Sequence, residues 1–282
     1  MKFQPGLYVV STPIGNLSDI TLRALETLQN SDIVLCEDTR VSNKLLAKHN
    51  IKASLKLYND KSDSGARDWI EKQIEGGKVL SLISDAGTPL ISDPGYKLVR
   101  ELKAKNLHVD VIPGPCAAIA ALTISGLATD QFFFSGFLPK TKEGRRKIFQ
   151  NLASLDASLI FYETANRLLQ SLEVALLVFG DREANVTREL TKLHQESRFE
   201  QLSNLIEYYQ KNPARGEIVL MISGKNDQFV SEEFLEQKLK GLMEEGESAR
   251  GASDIMFEKY KSAFSRKHVY NVANAIKNCL AK

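Results

Sequence analysis

The sequence predicts an α/β protein with two sheet-containing domains, followed by a small helical domain. Three observations support this class. Its 282 residues exceed the usual size of a single domain. Short runs rich in β-branched residues alternate with amphipathic stretches up to about residue 225, a pattern typical of βα units and a largely parallel sheet. Beyond residue 231 the strand signal ends and helical patterns take its place.

The first domain is expected to cover residues 1–120. Strands are predicted at residues 7–10, 33–36, 79–83 and 109–112. Helices are predicted at residues 17–30, 41–49, 64–75, 96–104 and 116–125.

The second domain is expected to cover residues 121–228, with the junction to the first domain somewhere in residues 115–127. Its strands are predicted at residues 132–135, 159–161, 184–189 and 217–222. Its helices are predicted at residues 143–154, 166–178 and 202–211. The third domain, residues 229–282, is expected to hold helices at 232–244, 248–264 and 266–279, with Ser265 as the N-cap of the last.

Composition excludes several classes of protein. No secretory leader and no run of about 18 apolar residues is visible, so we expect a cytoplasmic protein without a membrane segment. Cys36, Cys116 and Cys279 are too scattered for a disulfide framework or a metal site, and we expect reduced, mostly buried thiols and no bound metal. The formal net charge is only +2, so a polyanionic partner would need a local basic patch.

Three predicted strands of the first domain end in turn-rich segments, residues 11–16, 84–95 and 113–118. Ligands of open α/β sheets bind beyond the carboxyl ends of the strands, where these segments lie. Segment 84–95 is longer than the usual strand-to-helix loop of about 2–6 residues, which indicates a binding loop. A tight turn or close helix–sheet packing would also explain the other two segments. Asp93 and Pro94 are expected to start the next helix as N-cap and first residue.

A fourth polar segment, Glu37 to Arg40, follows the second predicted strand. It has two interpretations. Asp38 or Thr39 could be the N-cap of the following helix. Alternatively, the segment could belong to a functional site, because it lies beside the other three loops.

A basic segment at residues 140–147 contains five Lys or Arg residues and one acid, and follows an aromatic-rich strand. We expect Phe132, Phe133, Phe134 and Phe137 to be core residues. The basic segment is either a solvated helix start or a patch that binds phosphates. Positive charge in the first turn opposes the helix dipole, which makes a purely structural role less favourable.

Six motifs in this order carry a resemblance to a known family. They are LYVVSTPIGNL at 7–17, EDTR at 37–40, SDAGTPLISDPG at 84–95, PGPCAA at 113–118, FYE at 161–163 and RELTK at 188–192. Together, over roughly residues 7–224, they closely resemble the bacterial ribosomal RNA 2′-O-methyltransferase I family, part of the tetrapyrrole methylase superfamily. The carboxyl-terminal helices resemble that family's tail domain loosely.

The resemblance implies a homodimeric two-domain methylase that holds S-adenosylmethionine (SAM) in the cleft between its domains. It would methylate the 2′-hydroxyl of a cytidine in the decoding region of 16S rRNA, within the small ribosomal subunit. Methylases of tetrapyrroles carry a glycine-rich turn and a Gly-Asp-Pro loop where this chain has residues 12–14 and 84–86, and this departure favours the RNA branch. By motif correspondence, SAM is expected to contact Pro13, Ile83, Ser84, Asp85, Thr88, Cys116, Ala117 and Glu163.

A ribose hydroxyl is a weak nucleophile, so a group that accepts or orients its proton is expected. Asp38 is the favoured candidate; the others are Glu37, Glu163, Glu189 and Lys192. Ion pairing is the structural alternative for Glu189 and Lys192. The residues expected to bind RNA are Arg40, Lys140, Lys142, Arg145, Arg146 and Lys147. Two rival functions stay open: a SAM-dependent methylase of a tetrapyrrole or other small acceptor, and a non-catalytic RNA-binding protein that holds SAM.

Overall fold

The computed structural model describes residues 3–59, 64–225, 232–260 and 264–280. Its first part is a five-stranded parallel sheet. The strands are β1 (Gly6–Val10), β2 (Ile33–Cys36), β3 (Ser54–Leu57), β4 (Val79–Leu82) and β5 (Val109–Ile112), in the order β3-β2-β4-β1-β5. The helices of this part are α1 (Leu22–Gln29), α2 (Thr39–Lys48), α3 (Ser64–Glu75), α4 (Tyr96–Ala104) and α5 (Ala117–Thr123).

Both faces of this sheet are buried. Leu7 and Val9 of β1 pack into one apolar cluster, while Tyr8 and Val10 pack into another. Successive side chains of a strand point to opposite faces, so these two clusters lie on the two sides of the sheet. A strand that is buried on both faces has a near-continuous apolar sequence, which is why β1, β2 and β4 were predictable.

Three details of this part differ from expectation. Strand β3 was not predicted because it is a short edge strand whose side chains are largely exposed. The helix expected at residues 17–30 is interrupted: Asn16 caps a 3₁₀ turn at Leu17–Asp19, and a second cap, Thr21, starts α1. The prediction that Asp93 caps α4 is wrong, because the helix begins only at Tyr96, after Gly95 in a conformation with φ of +130°.

The second part is a mixed five-stranded sheet. Its strands are β6 (Phe132–Phe137), β7 (Ser158–Thr164), β8 (Glu183–Arg188), β9 (Glu196–Gln201) and β10 (Glu217–Ile222), in the order β6-β7-β10-β8-β9. Its helices are α6 (Lys142–Leu152), α7 (Ala165–Phe179) and α8 (Leu202–Lys211). Only β6 and β7 are parallel, so the expected largely parallel arrangement is wrong here. Hydrophobic periodicity reports burial but not the direction of the neighbouring strand.

The third part consists of α9 (Glu232–Glu244), α10 (Ala249–Tyr260) and α11 (Arg266–Leu280). These helices pack on one another around Leu235, Leu239, Met256 and Val269. The expected N-cap is confirmed, since the Ser265 hydroxyl accepts a hydrogen bond from the His268 backbone N–H at 3.2 Å. The helix expected at 248–264 extends to Tyr260, and residues 261–263 lie outside the described residues.

These observations confirm the predicted class, two α/β parts followed by helices. The expected division at residue 120 falls inside α5, whose Ala121 and Leu122 pack against Ile160 and Met221 of the second sheet. Within the described ranges, no helix is long and apolar enough to cross a membrane.

Candidate active site between the two sheets

A cleft of about 460 Å³ lies where the two sheets meet. The first part contributes Ile14, Glu37, Cys116, Ala117 and several residues of the loop at 85–93. The second part contributes Phe137, Tyr162, Glu163, Thr164, Thr187, Leu190 and residues 216–219. Small-molecule sites are usually concavities of about 300–1,000 Å³ with mainly apolar walls and a few polar groups, and this cleft has that character.

The loops of the first sheet converge as predicted, because β2, β4, β1 and β5 are consecutive neighbours. The loops after β1 and β4 are joined by a pair of backbone hydrogen bonds between Thr12 and Gly87, of 2.9 and 3.1 Å. Thr88 links them to the third loop: its hydroxyl donates to the Pro115 carbonyl at 2.9 Å and lies 3.0 Å from the Ser11 hydroxyl. The three segments therefore form one connected wall of the cleft.

The first loop also holds the two parts together. A Cβ atom at Gly15 would lie 2.7 Å from the carbonyl oxygen of Leu190, so only glycine permits this approach. The Asn16 backbone N–H donates to the Thr191 hydroxyl at 2.9 Å. Ile14 packs in the apolar cluster that joins the two sheets. Packing between the two parts of the chain therefore explains part of the motif at residues 7–17.

The residues expected to contact a cofactor fall into two groups. Asp85, Thr88, Cys116, Ala117 and Glu163 line the cleft. Pro13, Ile83 and Ser84 are buried and are not lining residues. Ile83 packs in the core beside β1, and the Ser84 hydroxyl donates to the Ala86 carbonyl at 3.3 Å, which shapes the loop.

Two carboxylates of the first part, Asp85 and Asp93, lie in the cleft. Burial raises the pKa of both groups. Hydrogen bonds act against this effect: the Asp38 backbone N–H donates to Asp85 at 3.2 Å and lowers its pKa, and a side-chain hydrogen bond with Ser84 lowers the pKa of Asp93. The negative charge of Asp38 raises the pKa of Asp85, and that of Asp85 raises the pKa of Asp93. Neither forms an ion pair with a described residue. Asp93 was interpreted from sequence only as a helix cap, so its place in the cleft is new.

Asp38 has a different environment. It is the N-cap of α2, accepting a hydrogen bond from the Arg40 backbone N–H at 2.8 Å, which confirms the structural interpretation of this segment. Its carboxylate also binds the Arg40 guanidinium, with one contact of 2.6 Å. The hydrogen bonds from Arg40 lower the pKa of Asp38 to about 2. Glu37, not Asp38, is among the residues that line the cleft.

The three charged candidates of the second part are held in ion pairs. Glu163 is fully buried; its carboxylate lies 2.5 Å from Arg167 and accepts a hydrogen bond from the Ser171 hydroxyl, also at 2.5 Å. It therefore ties the end of β7 to α7.

Glu189 and Lys192 form a small network with Glu217. The Lys192 ammonium lies 3.1 Å from Glu189 and 2.9 Å from Glu217. The hydrogen bond from the Glu217 backbone lowers the pKa of Glu189, and Lys192 lowers it further. Burial opposes the charge of Lys192, but its hydrogen bonds to Glu217 and Glu189 raise its pKa overall. Lys192 therefore stays protonated and is not suited to accept a proton.

The structure corrects one residue of the expected RNA surface. Arg145 is 1% exposed: its guanidinium donates to Gln170 at 2.9 Å and lies 3.5 Å from the Pro139 carbonyl. Arg145 shares the buried face of α6 with Phe149 and Leu152, so its side chain points toward α7 and away from solvent. Lys140, Lys142, Arg146 and Lys147 are exposed, and so is Arg40.

The expectation that the phenylalanines of β6 are core residues is wrong for Phe132, Phe133 and Phe137, which are all exposed. Phe137 and Tyr162 both line the cleft. Sequence reasoning assigned Phe137 to the core, because an aromatic run is ordinarily a core signal. It quoted Tyr162 only as part of the FYE motif and did not predict it as a site residue. In the described part of the chain, no group of three or more His, Cys, Asp or Glu side chains is arranged to hold a metal ion.

Known proteins share this architecture. The model of the tetrapyrrole (corrin/porphyrin) methylases matches residues 6–206. A diphthine synthase structure superimposes with a TM-score of 0.61 at 15% identity, covering 78% of this chain and 90% of its own. The family model covers more than half of the chain and shows that it belongs to the tetrapyrrole methylase class.

Sequence relatives define it more closely. A ribosomal RNA small subunit methyltransferase I from Rickettsia prowazekii is 51% identical, covering 97% of this chain and 98% of the relative. The Thermotoga maritima protein of that name is 42% identical, with 78% of this chain and 98% of its own length covered. The chain belongs to the ribosomal RNA small subunit methyltransferase I family and is a methyltransferase. About a fifth of it has no counterpart in the Thermotoga relative.

Proposed function

We propose that this enzyme transfers a methyl group from SAM to the 2′-hydroxyl of a cytidine in 16S rRNA, in the decoding region of the small ribosomal subunit. The observation that carries the proposal is the identity of 51% to a ribosomal RNA small subunit methyltransferase I over nearly the full length of both chains. The cleft described above supplies a site for the reaction.

The cleft fits SAM in size and chemistry. When bound, SAM supplies a methyl group on a positively charged sulfur, next to an adenosine and an amino acid. Asp85 and Asp93 provide negative charge for the cationic groups, and Ile14, Leu190 and Val219 provide an apolar wall. We propose Asp85, Thr88, Cys116 and Ala117 as direct contacts, with Pro13, Ile83, Ser84 and Glu163 holding these segments in place.

For the acceptor hydroxyl, the first part of the chain offers the better groups. Methyl transfer needs an in-line approach, so positioning and exclusion of water supply most of the acceleration. A base works best when its pKa is near the working pH, which favours a carboxylate with a raised pKa over one with a lowered pKa. We therefore place Asp93 and then Asp85 first. Glu37 comes next, because it lines the cleft. Asp38, with a pKa of about 2, follows them.

For the RNA, we propose that Arg40, Lys140, Lys142, Arg146 and Lys147 contact phosphates. All are exposed, and the four on and before α6 follow β6, whose end lines the cleft. On a protein with a net charge of +2, such a local patch is the means to hold a polyanion.

We also retain the homodimer as a proposal. The exposed apolar side chains of Ile119, Ile124 and Phe199 offer a surface for it, and the mass in solution tests it.

The decisive experiment incubates the protein with radiolabelled SAM and small ribosomal subunits from a strain that lacks this enzyme, followed by nucleoside analysis. We expect one 2′-O-methylcytidine per subunit. Label in no nucleoside of the RNA would overturn the proposal. Label transferred to a tetrapyrrole in the absence of RNA would favour the small-acceptor alternative, and SAM binding by calorimetry without any turnover would favour a non-catalytic RNA-binding protein.

A further inference from the structure

An irregularity in β6 moves one aromatic ring into the cleft. Phe134 pairs with Ile160 of β7, whereas Phe137 pairs with Tyr162, so the pairing gains one extra residue between them. Gly136, with φ of +73°, lies inside this bulge. In a regular strand, residues three apart point to opposite faces. Here the rings of Phe134 and Phe137 both lie against Tyr162, with centroids 4.9 and 5.3 Å away.

The two rings differ in exposure. Phe134 is half-buried in the apolar cluster that joins the two sheets, whereas Phe137 is 58% exposed and lines the cleft. Burying a large apolar ring would stabilise the fold by roughly 1.5–3 kcal/mol, and this is lost where the ring stays exposed. Packing of Phe137 therefore does not explain the bulge. Bulges beside binding sites commonly redirect a side chain. The contact with Tyr162 is of the T-shaped type, with an interplanar angle of 63°, so the exposed ring is not stacked on Tyr162.

The surroundings of Phe137 match the parts of a nucleotide. A Cβ atom at Gly136 would lie 3.2 Å from the Ser92 hydroxyl, so the bulge contacts the loop that carries Asp93. The exposed Lys140 follows Phe137 by three residues. Phe137 therefore lines the same cleft as Asp85 and Asp93, and an exposed cation follows it closely in the chain. An unstacked base binds to an aromatic face, its phosphate to a cation, and its ribose hydroxyl would point toward the carboxylates.

We propose that Phe137 stacks on the base of the acceptor nucleotide and so holds the ribose in the cleft. This inference rests on the proposed function, because it needs RNA as the acceptor. Base–aromatic stacking contributes enough that its loss weakens binding by about 5- to 150-fold. The interaction belongs to the acceptor and not to the methyl donor.

The test compares F137A with F133A, a matched control on the same strand. Phe133 is 42% exposed but does not line the cleft. With small ribosomal subunits as acceptor, we expect F137A to lower kcat/KM by about tenfold or more, mainly through KM, and F133A to leave it unchanged. F137W should restore activity and F137L should not, because leucine keeps an apolar side chain but has no π face. The Kd for SAM should be unchanged in all four variants.

Three results would overturn the inference. One is wild-type kinetics of F137A. Another is a loss of SAM affinity in F137A that matches the loss of activity, which would place the ring against the donor. The third is a change in the mass of F137A in solution, which would make Phe137 an interface residue. If the wild-type protein methylates no ribosomal RNA, it is the proposed function that fails, whatever F137A does.

Discussion

Two acidic residues of the first part and two of the second have opposite environments. In the parallel first part, Asp85 and Asp93 lie in the cleft, and burial raises their pKa. In the mixed second part, Glu163 is paired with Arg167 and Glu189 with Lys192. A buried carboxylate paired with a cation is already satisfied, whereas one desolvated in a cleft retains a tendency to bind a proton or a cation.

Candidate catalytic carboxylates that look alike in the sequence can therefore be distinguished by their ion pairs and pKa values. All of these acids belong to motifs beside strand ends. The sequence alone does not distinguish Glu163 and Glu189 from Asp93. Perturbed carboxylates in a cleft indicate function, and paired ones indicate structure. The first part thus supplies the carboxylates that we propose take part in the reaction, and the second part supplies aromatic side chains of the cleft and the basic residues of α6.

The largest effect should come from neutralising Asp93 of the first part, in comparison with neutralising Glu189 of the second. We expect D93N to lower the single-turnover rate of methylation by about 10²–10⁴-fold, and E189Q to change it only a few-fold. Because a base must be ionised, the wild-type rate should rise with pH through a pKa above the ordinary aspartate value, and D93N should lose this limb. Equal rates for D93N and wild type, with a large loss in E189Q, would reverse the comparison.

The next largest effect should come from the exposed basic residues on and just before α6. Replacing Lys140, Lys142, Arg146 and Lys147 together by serine should weaken RNA binding and flatten its salt dependence. The slope of log affinity against log salt should fall by about 0.7–0.9 per phosphate contact, or roughly three units if all four side chains are engaged. Filter binding at 50–300 mM salt measures it, with SAM affinity as the control. An unchanged slope would move the RNA surface elsewhere, with Arg266 and Lys267 of α11 as the first residues to examine.

Arg145 and Arg146 are adjacent in sequence but differ in burial, which allows a sharper comparison. We expect R145A to destabilise the fold by about 2 kcal/mol, because it removes a buried stem and leaves Gln170 and Pro139 without their donor. This corresponds to a fall in Tm of roughly 4–8 °C for a chain of this size. R146A should keep the wild-type Tm and lower RNA affinity. The same Tm for both variants would contradict the burial of Arg145.

The smallest effects concern the pH dependence of stability, where Asp38 and Asp93 should have opposite signs. Arg40 lowers the pKa of Asp38 to about 2, so its contribution is present above the ordinary pKa and is lost as pH falls toward 2. Burial raises the pKa of Asp93, so its ionisation opposes folding and stability is lost as pH rises through that pKa.

Thermal unfolding of D38N and D93N between pH 2 and pH 7 measures both contributions. At pH 7, the Tm of D93N should be higher than that of the wild type, and the Tm of D38N should be equal to it or slightly lower. Towards pH 2, both differences should shrink, since the two carboxylates become protonated. Shifts of the same sign for both variants at pH 7 would show that the two acids do not differ in environment.

The α/β class, the βα order of the first part and the convergence of its loops were predictable from local sequence patterns, because buried strands and helix periods are local features. The sequence also contained the six motifs that place the chain in its family. The Ser265 cap was predictable for the same reason, since capping acts within one helical turn.

The strand directions of the second sheet and the burial of Arg145 depend on tertiary packing and were not predictable from the sequence. The same holds for the ion pairs of Glu163 and Glu189 and the exposure of Phe137. Each of these depends on groups distant in sequence or, for Phe137, on a bulge that reverses the alternation of β6. Local patterns report what a residue prefers; the pKa of a carboxylate and the side to which a ring points depend on what is packed against them.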